Sequence, residues 1–136
     1  MSQQQVSDCT FCLKSQKVKP LKETPLGYLI QTIGSPAGRY LIIPKEHLLY
    51  LRDRPPGWTR HENILVEAAM QHAKQDDRIN HLDLEECLNL SWNQGEFAGQ
   101  TIEHLHCWVI FRSDELKRGM DGLIKLLEPS RYPEEL

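Results

Sequence analysis

The chain has 136 residues, 40% of them apolar and 26% charged, with a formal net charge of −3. This composition excludes a disordered chain, and the acid–base balance excludes the broad cationic surface of a protein that binds long nucleic acid. No apolar run approaches the ~20 residues that span a bilayer, and Met1 to Cys9 has neither a basic nor an apolar signal region. The expectation is one cytoplasmic domain over residues 1–136, with 1–8 a polar leader and no membrane partner.

Tyr28 to Ile33 reads as a strand, aromatic and β-branched between Gly27 and Gly34. Ser35-Pro36-Ala37-Gly38 supplies turn chemistry, and Arg39 to Ile43 is the returning strand of a hairpin, stopped by Pro44. After the breaker Pro55-Pro56-Gly57, Thr59 and Glu62 have the spacing of a capping box. Leu65, Ala68, Ala69, His72 and Ala73 share one helical stripe, so the spacing predicts a helix from Arg60 to about Asp77. Leu88 to Trp92 and His104 to Phe111 are the next strands. Ser113 caps a last helix that Pro129 ends. Strand, strand, helix, strand, strand, helix is the order of an α+β fold with a mostly antiparallel sheet.

Cys9 and Cys12 form a C-x-x-C pair in a chain with no export signal, which favours metal or redox work over a structural disulfide. A structural zinc needs four ligands, and two thiolates with two imidazoles also cancel its charge. The chain has six histidines. His61, His72 and His81 lie in or just past the helix, where surface or packing roles suit them. His47 at a strand exit and His104 at a strand entry are candidates, but spacing alone does not choose them. Cys87 and Cys107 read as core.

In an extended strand, His104, His106 and Trp108 share one face, while Leu105, Cys107 and Val109 share the apolar other. The loop before them, Asn93 to Thr101, contains Gly95 and Gly99, which let backbone approach a ligand closely. Such a loop can aim N–H groups at an anion, and Asn93, Gln100 and Thr101 add neutral donors. A phosphate cradle beside a nucleophilic imidazole is the chemistry this arrangement suits. Tyr28, Tyr50, Trp92 and Phe97 are aromatics for a core, a base stack or an interface.

These residues resemble the histidine triad (HIT) superfamily. The resemblance runs through Asn93-x-Gly95-x-x-Ala98-Gly99-Gln100-Thr101-Ile102-x-His104-Leu105-His106, in which Ala98-Gly99-Gln100-Thr101 is especially like the fragile histidine triad branch. It continues in Arg39-Tyr40-Leu41-Ile42-Ile43-Pro44-Lys45-x-His47 and in Cys9-x-x-Cys12, a zinc pair of many bacterial members. It implies a five-stranded antiparallel sheet with two helices, usually as a homodimer. It implies His106 as nucleophile, Asn93, Gly99, Gln100 and Thr101 on the α-phosphate, and a structural zinc on Cys9, Cys12, His47 and His104. Trp108 stands where the family has its third histidine and one branch has Gln, so a bulky N–H donor replaces a titratable group. Gln31 stands where the family often has an Asp on the ribose; it keeps hydrogen bonding without the charge.

The implied activity is hydrolysis or transfer of a nucleotidyl group, from a nucleoside phosphoramidate, dinucleoside polyphosphate or related conjugate, through a covalent nucleotidyl-His106 intermediate. The alternative is a zinc-stabilised nucleotide-binding module with little activity, motivated by Trp108 and Gln31. A zinc-finger-like nucleic-acid module rests on C-x-x-C and histidines alone, and the acidic balance disfavours it.

Overall fold

The computed structural model describes residues 9–12, 19–32 and 37–113. Within them the chain makes five strands and one α-helix: β1 Lys22–Glu23, β2 Gly27–Gln31, β3 Arg39–Pro44, α1 Trp58–Ala73, β4 Leu88–Trp92 and β5 Cys107–Phe111. Short 3-10 turns cover Leu51–Asp53, Leu84–Glu86 and Glu96–Ala98. The strands form one sheet in the order β1-β2-β3-β5-β4, every neighbouring pair antiparallel. The α+β architecture with a five-stranded antiparallel sheet is therefore present. The last helix predicted after Ser113, and the second half of the β2–β3 strand-turn prediction at Ile33 to Pro36, lie outside the described residues. No helix among the described residues is long and apolar enough to cross a membrane.

Alternation along the strands gives the sheet two different faces. One carries Leu29, Tyr40, Ile42, Cys107, Val109 and Phe111, packed against Trp58, Leu65, Ala69, Met70 and Ala73 of α1. The other carries Tyr28, Leu41 and Ile43, with Phe11 and the half-buried Ile30, Ile102 and Trp108. Close approach of α1 to β2 depends on Gly27, where a Cβ would sit 3.0 Å from the Trp58 ring and from the Ile43 carbonyl oxygen. Cys107 is core, as expected, and burial pushes its thiol up to about 12. Cys87 is half-buried at the core's edge.

Both ends of α1 and the start of β5 differ from the sequence reading. Helix α1 starts at Trp58, not Arg60, with Gly57 in the left-handed region (φ 82°) as N-cap and no side-chain cap. Thr59 lies inside the helix, and the Glu62 carboxylate accepts the Trp58 indole N–H at 2.9 Å instead of reaching back to close a capping box. The helix ends at Ala73, short of Asp77, because the next residues close turns and the Asp76 carboxylate accepts the Arg78 backbone N–H at 2.9 Å. Strand β5 begins at Cys107, so His104 to His106 is irregular chain leading into it. The Leu105 N–H bonds the Leu48 carbonyl at 2.7 Å, outside the ladder.

Candidate functional site

Four ligand atoms from three separate parts of the chain meet beside the sheet. Those of Cys9, Cys12, His47 and His104 all lie within 4.8 Å of one another. Cys9 and Cys12 occupy one tight turn, closed by the Cys12 N–H on the Cys9 carbonyl at 3.3 Å. His47 leaves the end of β3, and His104 precedes β5. The Cys12 Sγ is 3.3 Å from His47 Nδ1 and 3.5 Å from His104 Nδ1, and the Cys9 Sγ is 3.5 Å from His104 Nδ1. A tetrahedral zinc with Zn–S ~2.3 Å and Zn–N ~2.0 Å has S···N edges of ~3.5 Å. The donor set and its spacing therefore fit a structural zinc, with all four positions filled by protein.

The tautomer of His104 is fixed for this task. Its Nε2–H donates to the Pro44 carbonyl at 2.7 Å, which leaves Nδ1 as the ligand nitrogen. The ring is fully buried, and desolvation holds its pKa down to about 4, with His47 and His106 adding to the depression. It stays neutral and able to bind metal at physiological pH.

His106 is 5% exposed, and burial lowers its pKa, so it too is a neutral imidazole at neutral pH. Its Nδ1–H donates to the His104 carbonyl at 2.8 Å, which directs the lone pair to Nε2. The Trp108 ring lies 6.5 Å away, centroid to centroid, inclined by 63°. Trp108 pairs with Leu41 on β3 and Ser91 on β4, so the indole lies on the sheet face that carries Ile30, Leu41 and Phe11.

The loop entering this site is braced from within. Gly95 and Gly99 both take positive φ (93° and 94°). The Gly95 N–H donates to the Gln100 side-chain carbonyl at 2.8 Å, the Gln100 N–H returns to the Gly95 carbonyl at 3.1 Å, and Gln100 Nε2 donates to the Ile102 carbonyl at 2.9 Å. Gln100 thus uses both ends of its amide on the loop itself. Gln94 accepts the Leu51 N–H at 2.7 Å and ties the loop to the chain beyond His47. Asn93 is buried and accepts the Ser91 hydroxyl at 3.0 Å; Gly99 is buried and Thr101 exposed. A cavity of about 570 Å³ lies against the loop, lined by Tyr50, Gln94, Glu96, Gln100, Thr101 and Glu103 among others. His106 is not in its lining, and two carboxylates make it a poor seat for phosphate.

Not every predicted residue meets here. Gln31 is on the opposite sheet face, where its Nε2 donates to Asp76 at 3.4 Å. Neither His61 nor His81 joins the metal group, and the His72 Nδ1 bonds the buried Tyr40 hydroxyl at 2.8 Å. Tyr28 is core, while Tyr50 and Phe97 are exposed. Two contributors went unread in the sequence. Phe11 packs edge-on against both His104 and His106. The Tyr28 hydroxyl donates to the Phe11 carbonyl and is held protonated by burial and the nearby thiols. The only sequence signal for Phe11 was its place between two candidate ligands.

No family model matches the chain, and no curated protein matches it. Solved structures do. A zinc-bound histidine triad family protein from Mycobacterium smegmatis is similar at a TM-score of 0.63 and 26% identity, over 83% of this chain and 81% of that one. A HIT family hydrolase from Clostridium thermocellum is similar at 0.52 and 26% identity, over 81% of this chain and 95% of that one. A HIT family protein from Bacillus anthracis shares the fold at 0.60 and 22% identity, over 97% and 99% of the two chains. In fold, motif order and ligand set the chain is thus similar to proteins of the histidine triad family.

Proposed function

We propose that the protein is a hydrolase or transferase of nucleotidyl groups in which His106 is the nucleophile. The observation that carries this is the buried, neutral His106 ring whose Nδ1–H is held by the His104 carbonyl, so that Nε2 presents its lone pair. In the proposed reaction Nε2 attacks the phosphorus of a nucleoside monophosphoryl group, and the bond to the leaving group breaks. Water then attacks the nucleotidyl-His106 intermediate, releasing a nucleoside monophosphate and the free imidazole. The substrate classes that suit this are phosphoramidates, dinucleoside polyphosphates and related conjugates. The similarity to a HIT family hydrolase supports the reading.

Asn93, Gly99, Gln100 and Thr101 form the proposed phosphate-binding segment. Gln100 serves it by bracing the loop, and Thr101 presents an exposed hydroxyl. Trp108 forms an apolar wall on which a nucleoside or leaving group rests. Gln31 lies on the opposite sheet face with its amide on Asp76, so this reading leaves the ribose to other residues. Zinc on Cys9, Cys12, His47 and His104 supplies a cross-link between the N-terminal turn and the motif, and its filled coordination leaves no place for substrate. The zinc-bound Mycobacterium smegmatis protein supports that assignment.

The test is turnover of a fluorogenic adenosine phosphoramidate by wild type and His106→Ala. Activity in the wild type that disappears in a folded variant is the expected result; equal rates in the two would sink the nucleophile. A nucleoside monophosphate that binds while no conjugate is turned over would favour the binding-module alternative, which Trp108 motivates.

A homodimer belongs to the same proposal. Strand β4 is a sheet edge, and Leu90 on it is 45% exposed, a combination that invites pairing with a second copy. Leu90→Lys should shift the sedimentation coefficient from dimer to monomer; an unchanged value would place the interface elsewhere.

A further inference from the structure

We propose that Phe11 is a positioning residue for His106, through which the occupied Cys2His2 group holds that ring in one orientation. The proposal rests on the reading of His106 as the nucleophile. Phe11 is 4% exposed and lies between the two thiols in one turn. Its ring meets His106 edge-to-face at 5.0 Å and 72°, and His104 at 6.1 Å and 84°. The hydroxyl of the fully buried Tyr28 grips its carbonyl from β2.

A hydrogen bond at Nδ1 fixes one atom of an imidazole but lets the ring pivot about that atom. A second, edge-to-face contact on the ring restrains that motion. On His106 the first restraint is the carbonyl of His104, a ligand of the candidate metal. The second is Phe11, held on either side by ligands of the same metal. Both restraints on the nucleophile thus originate in the one Cys2His2 group. Loss of the metal removes the tie between the 9–12 turn and the His104 ring, leaving the turn to Tyr28 and the ring to Pro44. The Nε2 lone pair then loses its fixed direction although no ligand atom touches substrate. A structural ion would in this way control whether the nucleophile is aligned.

The test uses the full chain, zinc-loaded and labelled with 15N-histidine, at pH 8. Long-range 1H–15N spectra report which ring nitrogen of His106 carries the proton. The wild type should show the Nδ1–H tautomer alone. Phe11→Ala and Phe11→Leu should each add a second tautomer amounting to roughly a tenth or more of the signal, while metal analysis still finds wild-type zinc content. Chelation of the wild type should give the same mixture. Leu keeps apolar bulk without a ring edge, so it carries the test if Ala fails to fold, and Phe11→Tyr should restore the single tautomer. On a substrate that the wild type turns over, Phe11→Leu should lower kcat by roughly ten- to a hundredfold with little change in KM, the scale of a small misalignment. A Phe11→Leu protein with one tautomer and wild-type kcat would reduce Phe11 to core filler and overturn the proposal. So would a mixture that appears on chelation but in no Phe11 variant. If the tautomers behave as expected while the wild type turns over no nucleotide, the nucleotide reading falls and the positioning role stands.

Discussion

Two residues beyond His106, the Trp108 indole offers one N–H and no proton that it can release near neutral pH. General acid help to a departing group is worth roughly 10²- to 10⁴-fold, and amines need that help more than phenols or pyrophosphate. The wild type should therefore show a steep dependence of kcat/KM on leaving-group basicity. Trp108→His should flatten that slope and raise phosphoramidate turnover by about tenfold or more. Parallel slopes in the two proteins would mean that protonation comes from elsewhere. At this scale the sequence was readable in part: the C-x-x-C pair asked for two further ligands, spacing left them open, and the resemblance named His47 and His104, which the fold brings to the thiols. It was unreadable where a side chain is used up by its own surroundings. Nothing in the order of residues 93–101 says that the Gln100 amide closes its loop, and nothing near Gln31 says that Asp76, 45 positions away, takes it.

Helices and strands were legible in kind and less so in extent. The apolar stripe found α1, but Pro55-Pro56-Gly57 was read only as a breaker, whereas Gly57 at positive φ starts the helix itself. Alternation found β5, but His104 answers to Pro44 and the thiols instead of the ladder, so the regular strand waits until Cys107. The end of α1 depends on Asp76, whose carboxylate bonds the Arg78 side chain at 2.8 and 3.0 Å. Those bonds hold its pKa at about 2, below the ordinary 3.8, with a smaller contribution from Gln31. A depressed carboxylate adds stability that is fully present above the unfolded value and is lost as pH falls towards 2. Asp76→Asn should accordingly lose less stability than wild type between pH 4 and pH 2, as read by urea midpoints at each pH. Identical losses would show that the pair contributes nothing, as exposed ion pairs often do.

The whole molecule has a small core on each sheet face, and the one on the metal side is the thinner. Its hydrophobic cluster of buried residues is Phe11, Tyr28, Leu41 and Ile43, against thirteen on the helix side. A metal cross-link matters most in such a place. Cys12→Ala removes a fully buried thiol that approaches both His47 and His104. It should abolish stoichiometric zinc and lower the melting midpoint by on the order of 10 °C. His106→Ala should retain zinc and stay within a few degrees of wild type. Equal melting losses in the two variants would show that packing, not metal, secures this face.

The Cys9–His104 contact spans 95 positions of the chain. Bringing such distant residues together costs loop-closure entropy that local contacts do not face, and topologies rich in distant pairings fold slowly. The ion's tetrahedron cannot close until the emerging polypeptide has delivered its hundred-and-fourth residue. Metal capture is then a late event in the birth of the molecule, and a ribosome stalled before that point would hold a chain with only three of its four ligands.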